Sequence, residues 1–431
     1  MNVLLWVPWT CPPFYLLSCI LYLYTLHLPF DLPPSGVVLT PETPDTIHLR
    51  FLTSIADIAP ETWDALTGEA YPFMRHAFFR ALEDSRSTTA MTGWQPYHVL
   101  VEKAGETVAI MPMFLKDNSR GEYVFDWSWA DAYQRHGYDY YPKLVSAIPF
   151  TPCPGPRVCV APGQDAAEIF RLLSVYIPRQ AEKISASSWH VLFPDQDQSD
   201  AFRELGIRQR VGCQYQWFNR GYESFDDFTA CFSSRKRKNL RKERQKVLDA
   251  GISFETLTGA AITPGLWQKF YLFYQSTYFV RGRAPYLTEE FFTLIGDTMA
   301  DRLLLVMARK DDEYIAGALS FIGADTLYGR YWGCTEEYQF LHFETCYYRG
   351  IDFCIEKGLA RFDSGAQGEH KIQRGFEPVL TWSNHWIANA DFDQAIHRFL
   401  DDEEKYVRRF QKEAACYLPF KQEDPVKPES S

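Results

Sequence analysis

Five consecutive residues, Gln367-Gly368-Glu369-His370-Lys371, set an amide, a flexible backbone position, a carboxylate, an imidazole and an amine side by side. Acyl transfer to an amine makes three demands. The nitrogen must lose a proton, the tetrahedral oxyanion needs stabilising, and the leaving group needs a proton. This stretch carries groups for all three, with Glu369 or His370 as the general base. Gly365 and Gly368 let the backbone approach a ligand closely. A solvated surface turn is the alternative reading. Just downstream, Arg374 and Phe376 fit a phosphate contact and a stacking wall, or equally a surface charge and a core aromatic. Upstream, His342, Glu344 and Cys346 fall at an expected helix start, with His342 and Cys346 on one face. His342 reads as a polar contact to substrate and Glu344 as a base acting through water. No further ligands follow at metal spacing, so no metal is expected, and nothing activates Cys346 as a nucleophile. Tyr331 and Trp332 are neighbours on an expected strand, so they face opposite sides. They line a substrate or pack the core.

A second feature is charge. Arg235, Lys236, Arg237, Lys238, Arg241, Lys242, Arg244 and Lys246 crowd into twelve positions with only Glu243 opposing. Phe228, Phe232, Leu240 and Val247 trace an apolar stripe through the same region, which predicts a helix with one packed seam and a basic outer surface. A solvated face is the plain reading of a charge run. In a chain of formal net charge -11, the run instead points to a polyanion: tRNA, a nucleotide-linked substrate, the phosphates of CoA or anionic lipid. Arg281 and Arg283 flank Gly282 and either extend that surface or act as helix C-terminal charges.

These groups need a scaffold, and the sequence outlines one twice. Residues 99–115 hold two apolar runs around the turn-like Lys103-Ala104-Gly105-Glu106, the pattern of a β-hairpin. Residues 306–322 repeat it without a gap: Lys103 aligns with Lys310, Glu106 with Glu313 and Ala109 with Ala316. A further aromatic strand is expected after each, at 122–127 and 326–332. Matching order and spacing favour internal duplication over two unrelated hairpins. Helices are expected at 73–84, 166–182, 266–278, 289–299, 343–357 and 392–410. Strands are expected at 48–54, 189–193, 213–218, 302–309, 314–321, 327–332 and 361–363. Helices beside a largely antiparallel hairpin sheet give an α+β, or mixed α/β, fold. The length of 431 residues suits two domains, since single cores stop growing at roughly 250–300 residues. The expected division is an extension at 1–45, one domain at 46–220, a second at 221–420 and a polar tail at 421–431.

The order strand, hairpin, strand, loop, helix, strand in the second half is similar to the core of a GNAT acyltransferase. Four segments carry a closer resemblance, to FemAB-like predicted N-acyltransferases of the peptidoglycan-biosynthesis/recognition branch. They are the basic Ser233–Lys242 run ending at Ala250-Gly251-Ile252, and Phe270-Tyr271 through Arg281-Gly282. The others are Tyr331-Trp332-Gly333-Cys334 with His342-Phe343-Glu344, and Phe362-Asp363-Ser364-Gly365 through Lys371 and Arg374-Gly375-Phe376. The resemblance covers roughly residues 220–415 and implies tandem GNAT-like domains with the second catalytic. It implies that Lys371 stabilises an oxyanion or a substrate phosphate. It implies transfer of an acyl group from an activated donor, acyl-CoA first, to a small-molecule or peptide amine. The rival within enzymes is transfer from charged tRNA to a peptidoglycan precursor; the rival outside them is a non-catalytic module binding RNA or lipid. One stretch departs from acetyl-CoA enzymes, whose glycine-rich loop cradles pyrophosphate at a helix N-terminus. Here residues 333–342 lack those glycines and add Glu336 and Glu337, as FemAB-type proteins also lack the loop.

The remaining bulk properties narrow the setting. A strongly acidic chain is not a general nucleic-acid coat, so DNA is not an expected partner. The 10 Cys form no Cys-x-x-Cys pair, which fits reduced, buried thiols and a cytoplasmic protein. Residues 1–34 read differently. Their uncharged run at 14–28 is shorter than the ~20 apolar residues of a membrane span, and the first Lys or Arg is Arg50. A mis-assigned start is the preferred expectation, with a tilted anchor or peripheral membrane association as the alternative.

Overall fold

The computed structural model describes residues 47–366 and 368–421, so the expectations for 1–46, for Gln367 and for 422–431 lie outside the described residues. The first half runs β1 (Ile47–Leu52), α1 (Pro60–Thr67), α2 (His76–Asp84), β2 (Gln95–Pro96), β3 (His98–Lys103), β4 (Glu106–Met111), β5 (Phe114–Lys116), α3 (Trp127–Arg135), β6 (Lys143–Ser146), β7 (Cys159–Val160), α4 (Ala166–Lys183), β8 (Ser188–Leu192), α5 (Gln196–Glu204) and β9 (Arg208–Phe218). The second runs α6 (Phe225–Ala230), α7 (Ser234–Asp249), β10 (Ser253–Thr258), α8 (Pro264–Phe279), α9 (Glu289–Thr298), β11 (Leu303–Lys310), β12 (Glu313–Ile322), β13 (Thr326–Cys334), α10 (Leu341–Phe343), α11 (Arg349–Lys357), β14 (Arg361–Asp363), β15 (Glu377–Ile387) and α12 (Ala390–Ala415).

The two hairpins are copies down to their irregularities. Lys103 pairs with Glu106 and Val101 with Ala109, across a bulge at Val101/Glu102; Lys310 pairs with Glu313 and Ala308 with Ala316, across a bulge at Ala308/Arg309. Both turns need two left-handed residues, and both have them: Ala104 and Gly105 in one, Asp311 and Asp312 in the other. In each half a strand pairs with the hairpin's first arm and two helices separate them (β1, α1, α2; β10, α8, α9). The copies diverge after the hairpin. Pro96 and Pro112 interrupt the first one, because proline gives no N–H to a ladder; β2–β5 and β3–β4 are the two pieces of what β11–β12 forms unbroken. The strand expected at 122–127 is a correction: that segment is irregular up to α3, and its acids Glu122 and Asp126 turn inward onto Lys143. β6 and β7 take the place of β13 instead, pairing with β5 and β4.

β10-β11-β12-β13-β14-β9-β15-β8-β6-β5-β2 form one sheet. Its centre is an exchange: β9 lies between β14 and β15, and β15 between β9 and β8, so each half lends its last strand to the other. Antiparallel pairs dominate, but β6–β8 and β13–β14 are parallel. Helices cover the sheet through aromatic-rich cores, in which Phe73, Phe78, Phe270, Phe291 and Phe321 are fully buried. The architecture is α+β with duplicated halves. Among the described residues no helix is long and apolar enough to cross a membrane.

Candidate functional site

The parallel pair β13–β14 is short and then opens. Residues 326–328 pair with 361–363, after which β13 continues to Cys334 while the chain beyond Asp363 turns away. Where they part, β13 carries a bulge. Its register against β12 passes from Ser320–Gly329 to Leu319–Tyr331, leaving Arg330 unopposed. Bulges of this kind re-aim side chains beside active sites. Arg330, buried, forms an ion pair with buried Asp363 at 2.8 Å, and Asp363 also accepts from the Gly365 amide at 3.0 Å.

Lys371 closes the base of this notch. It lies on the 3-10 turn Glu369–Arg374, is buried, and donates from Nζ to the carbonyls of Ser364 (2.9 Å) and Gly365 (2.7 Å). Those carbonyls have no strand partner, because β14 ends before them. Burial draws the Lys371 amine down to about 7, with Arg330 adding to the effect and Asp363 opposing it. A neutral amine has two N–H bonds and a lone pair; the two carbonyls occupy both N–H bonds. Gly365, at φ +94, leaves room that a side chain would take: a Cβ there would sit 3.6 Å from Arg330 Nη1, 3.8 Å from the Gly329 carbonyl and 4.0 Å from Lys371 Nζ. The Ser364 hydroxyl is buried beside it without a hydrogen-bond partner among the described residues.

An aromatic wall stands next to the amine. The helix from α10 to α11 contains a π turn, Glu344–Tyr348, a device frequent at functional sites. It presents Phe343 and Tyr347 toward His370, whose Nε2 bonds the Tyr347 hydroxyl at 3.0 Å. Burial, then the Lys371 and Arg374 charges, push His370 down to about 4, so the ring is neutral near pH 7. His342 stacks edge-on against Trp332 and Tyr347 and is pushed down to about 3, chiefly by burial. Half-buried Trp332 and His342 thus border the notch. Glu369 is half-buried, its carboxyl raised by burial.

Several expected roles are corrected. Glu344 does not reach the notch; it is buried in ion pairs with Arg244 and Arg349, both at 2.9 Å. Every nitrogen of Arg374 already donates within the protein, so it is not poised for a phosphate. It gives Nε to Tyr348, Nη1 to the His370 carbonyl and Nη2 to Glu243, with its guanidinium over the Phe343 ring. It is a brace tying the 3-10 turn to α7. Phe376 is fully buried against Tyr347 and Phe362 and is a core residue. Tyr331 is buried among Tyr274, Phe292 and Phe321, and Cys346 is a thiol whose pKa burial raises strongly. Sequence reading passed over Arg330, Asp363 and Ser364 as actors. Their signal was only the register of a bulge and the end of a three-residue strand.

The basic run forms α7, as expected, and its cations sort by face. Lys236 donates to Gln373 in the Lys371 turn, Arg244 joins Glu344 and Asp352, and Arg241 meets Asp226. Arg235, Arg237, Lys238 and Lys242 have no side-chain hydrogen-bond or ion-pair partner among the described residues, nor does Arg281 on the loop after α8. Among the described residues no cluster of three His, Cys, Asp or Glu could hold a metal ion.

The FemAB-like family, described as peptidoglycan biosynthesis/recognition, matches residues 54–422, and the chain belongs to it; membership on this fold makes the protein an acyl- or aminoacyl-transferase. The similar solved structures include three that span most of the chain. FemX is 13 % identical over 79 % of this chain and 98 % of its own (TM-score 0.48). The C-terminal domain of a candidate lysylphosphatidylglycerol synthetase from Agrobacterium fabrum is 11 % identical over 81 % and 97 % (TM-score 0.50). A tandem GNAT protein from the clavulanic acid pathway is 10 % identical over 80 % and 99 % (TM-score 0.42). At these identities the likeness is one of fold. No curated protein matches this sequence.

Proposed function

We propose that the β13–β14 notch transfers an aminoacyl group from charged tRNA to the amine of a peptidoglycan-type precursor, with Lys371 moving the proton. The observation that carries this is a buried amine, titrating near neutral pH, whose N–H bonds are engaged and whose lone pair is left over. In this reading Lys371 takes a proton from the attacking ammonium and the nitrogen adds to the ester carbonyl. The Ser364 hydroxyl, with Arg330 close by, stabilises the oxyanion. Collapse breaks the C–O bond, Lys371 returns its proton to the departing ribose oxygen, and the second proton of the former ammonium leaves the new amide nitrogen to solvent.

Two features favour charged tRNA over acyl-CoA. The outward carbonyls of β13 at Trp332 and Cys334, which would face a thioester's arm, already accept from Thr277 (2.9 Å) and Ser276 (2.8 Å) of α8. The unpaired cations of α7 flank the Lys371 turn, and a row of cations along a helix suits a phosphate backbone. The test is a thermal-shift titration with charged tRNA and acyl-CoA as separate ligands, since binding to the native state raises Tm with concentration. A rise with charged tRNA alone is expected. A rise with acyl-CoA alone moves the donor to the thioester, and silence from both removes the transferase reading of the notch.

A further inference from the structure

The tip of α8 differs from the rest of the described surface. Phe279 is 60 % exposed and Val280 87 %, and exposed Arg281 and Arg283 follow them around Gly282. From 264 to 288 the chain carries Lys269, Arg281 and Arg283 and no Asp or Glu, within a protein of net charge -11. The segment beside it continues the theme. Tyr123 lies in the electrostatic reach of Tyr278, Tyr331 and Tyr286, and the chain leading from it exposes Phe125 (55 %) and Trp127 (49 %). The acids of that segment, Glu122 and Asp126, are buried against Lys143, so they add no negative charge outside.

Single exposed apolar residues are ordinary. An aromatic and aliphatic tip flanked by arginines, with its next acids at Glu289 and Glu290 on the first turn of α9, has the composition that enters the headgroup boundary of a bilayer. Arginines there gain attraction to anionic lipid that salt screens. A protruding turn offers little of the area a stable protein interface needs, which favours lipid over a protein partner. We infer that Phe279, Val280, Arg281 and Arg283, with Phe125 and Trp127 beside them, dock the protein on an anionic membrane surface. The same α8 braces β13 through Ser276 and Thr277, so docking brings the notch to the bilayer and makes the acceptor a membrane-resident amine. Only that last clause rests on the transferase reading.

The test is co-sedimentation of the full chain with phosphatidylcholine vesicles, with and without phosphatidylglycerol, which needs no turnover. The wild type is expected on the phosphatidylglycerol vesicles and not on the others, and added salt releases it. Phe279→Ser with Val280→Ser should cut binding about tenfold, and Arg281→Gln with Arg283→Gln severalfold. Met91→Ser, at a position 98 % exposed elsewhere, should leave binding unchanged; matching melting temperatures establish that all variants fold. Docking by this face is overturned if the wild type stays in solution, if it binds both vesicles equally, or if the Phe279/Val280 variant binds like the wild type. Transfer to a soluble amine without vesicle binding would sink the docking and leave the notch chemistry standing.

Discussion

The two halves hold the same notch in different states. Val145 and Tyr328 are equivalent, since they pair with the matched hairpin residues Phe114 and Phe321. Their parallel partners are His190 and Asp363. Two residues further on, the carbonyls of Leu192 and Gly365 each accept from a buried cation. In the first half this is Arg157, which also holds the carbonyls of Cys153, Gly155 and Pro156 at 2.7–3.1 Å. Beyond β8, Gly155 of a separate stretch bridges Pro194, so the opening is filled with protein. In the second half Lys371 bonds two carbonyls and its amine titrates near 7. A guanidinium keeps its proton at working pH, whereas a desolvated lysine exchanges it. The rungs beneath differ too. His190 and His385 face each other at 2.7 Å, both pushed toward the neutral form by burial, where the second half has the Asp363–Arg330 ion pair. Duplication built one stapled notch and one charged one, and of the two cations that bind the matched carbonyls it is Lys371 whose proton can exchange near pH 7.

Exchanging the fates of the two cations is the strongest way to break this contrast. Lys371→Met is expected to lower turnover by roughly 10²- to 10⁴-fold while the fold persists. Lys371→Arg should be as inactive, since charge without proton exchange does not serve. Arg157→Met should do the reverse: four buried carbonyls lose donors, costing about 3 kcal/mol or more in urea unfolding, with turnover per folded molecule retained. Inactive Arg157→Met and active Lys371→Met would reverse the assignment.

The pH dependence sharpens it. If neutral Lys371 is the base, turnover rises with pH through about 7. The sign for stability follows from proton counts: the folded amine sits near 7 and the unfolded one near its ordinary 10.5. Between those values the unfolded chain holds the extra proton, so stability from this group grows as pH rises. Lys371→Met should therefore flatten the unfolding free energy across that window. An unchanged slope means the amine is charged in the fold. A smaller effect comes from Gly365→Ala, whose φ of +94 strains any side chain by about 1–2 kcal/mol and whose methyl would enter the space between Arg330 and Lys371. Reduced kcat in the folded variant is the expected result.

Much of this was written locally in the chain. The hairpin pair was legible because turn chemistry and period-2 patterning are short-range, and the 361–363 strand and the helix from α7 fell where expected. Lys371 stood out by type and by family resemblance. What was not legible depends on partners far along the chain. Arg374 reads as a phosphate ligand until Glu243 and Tyr348 are seen to hold it, and Glu344 reads as a base until Arg244 and Arg349 arrive. Nor does any motif mark Arg157 as the counterpart of Lys371; that emerges from strand register.

The mildest prediction concerns α7, where the halves also differ, since the sequence ahead of β1 carries no Lys or Arg. Arg235, Lys238 and Lys242 lie three to four residues apart, so they form one stripe, and neutralising them breaks no internal ion pair. Lys238→Gln with Lys242→Gln should leave Tm unchanged and weaken charged-tRNA binding. For every phosphate that the variant no longer neutralises, the slope of log affinity against log salt should fall by about 1. Lys236→Gln is different, because Lys236 holds Gln373 beside Lys371; it should also disturb kcat. If the stripe variant binds tRNA with the wild-type salt slope, α7 is a solvated face and the donor's phosphates lie elsewhere. If Lys236→Gln behaves like the stripe variant, the helix touches the donor without positioning the amine.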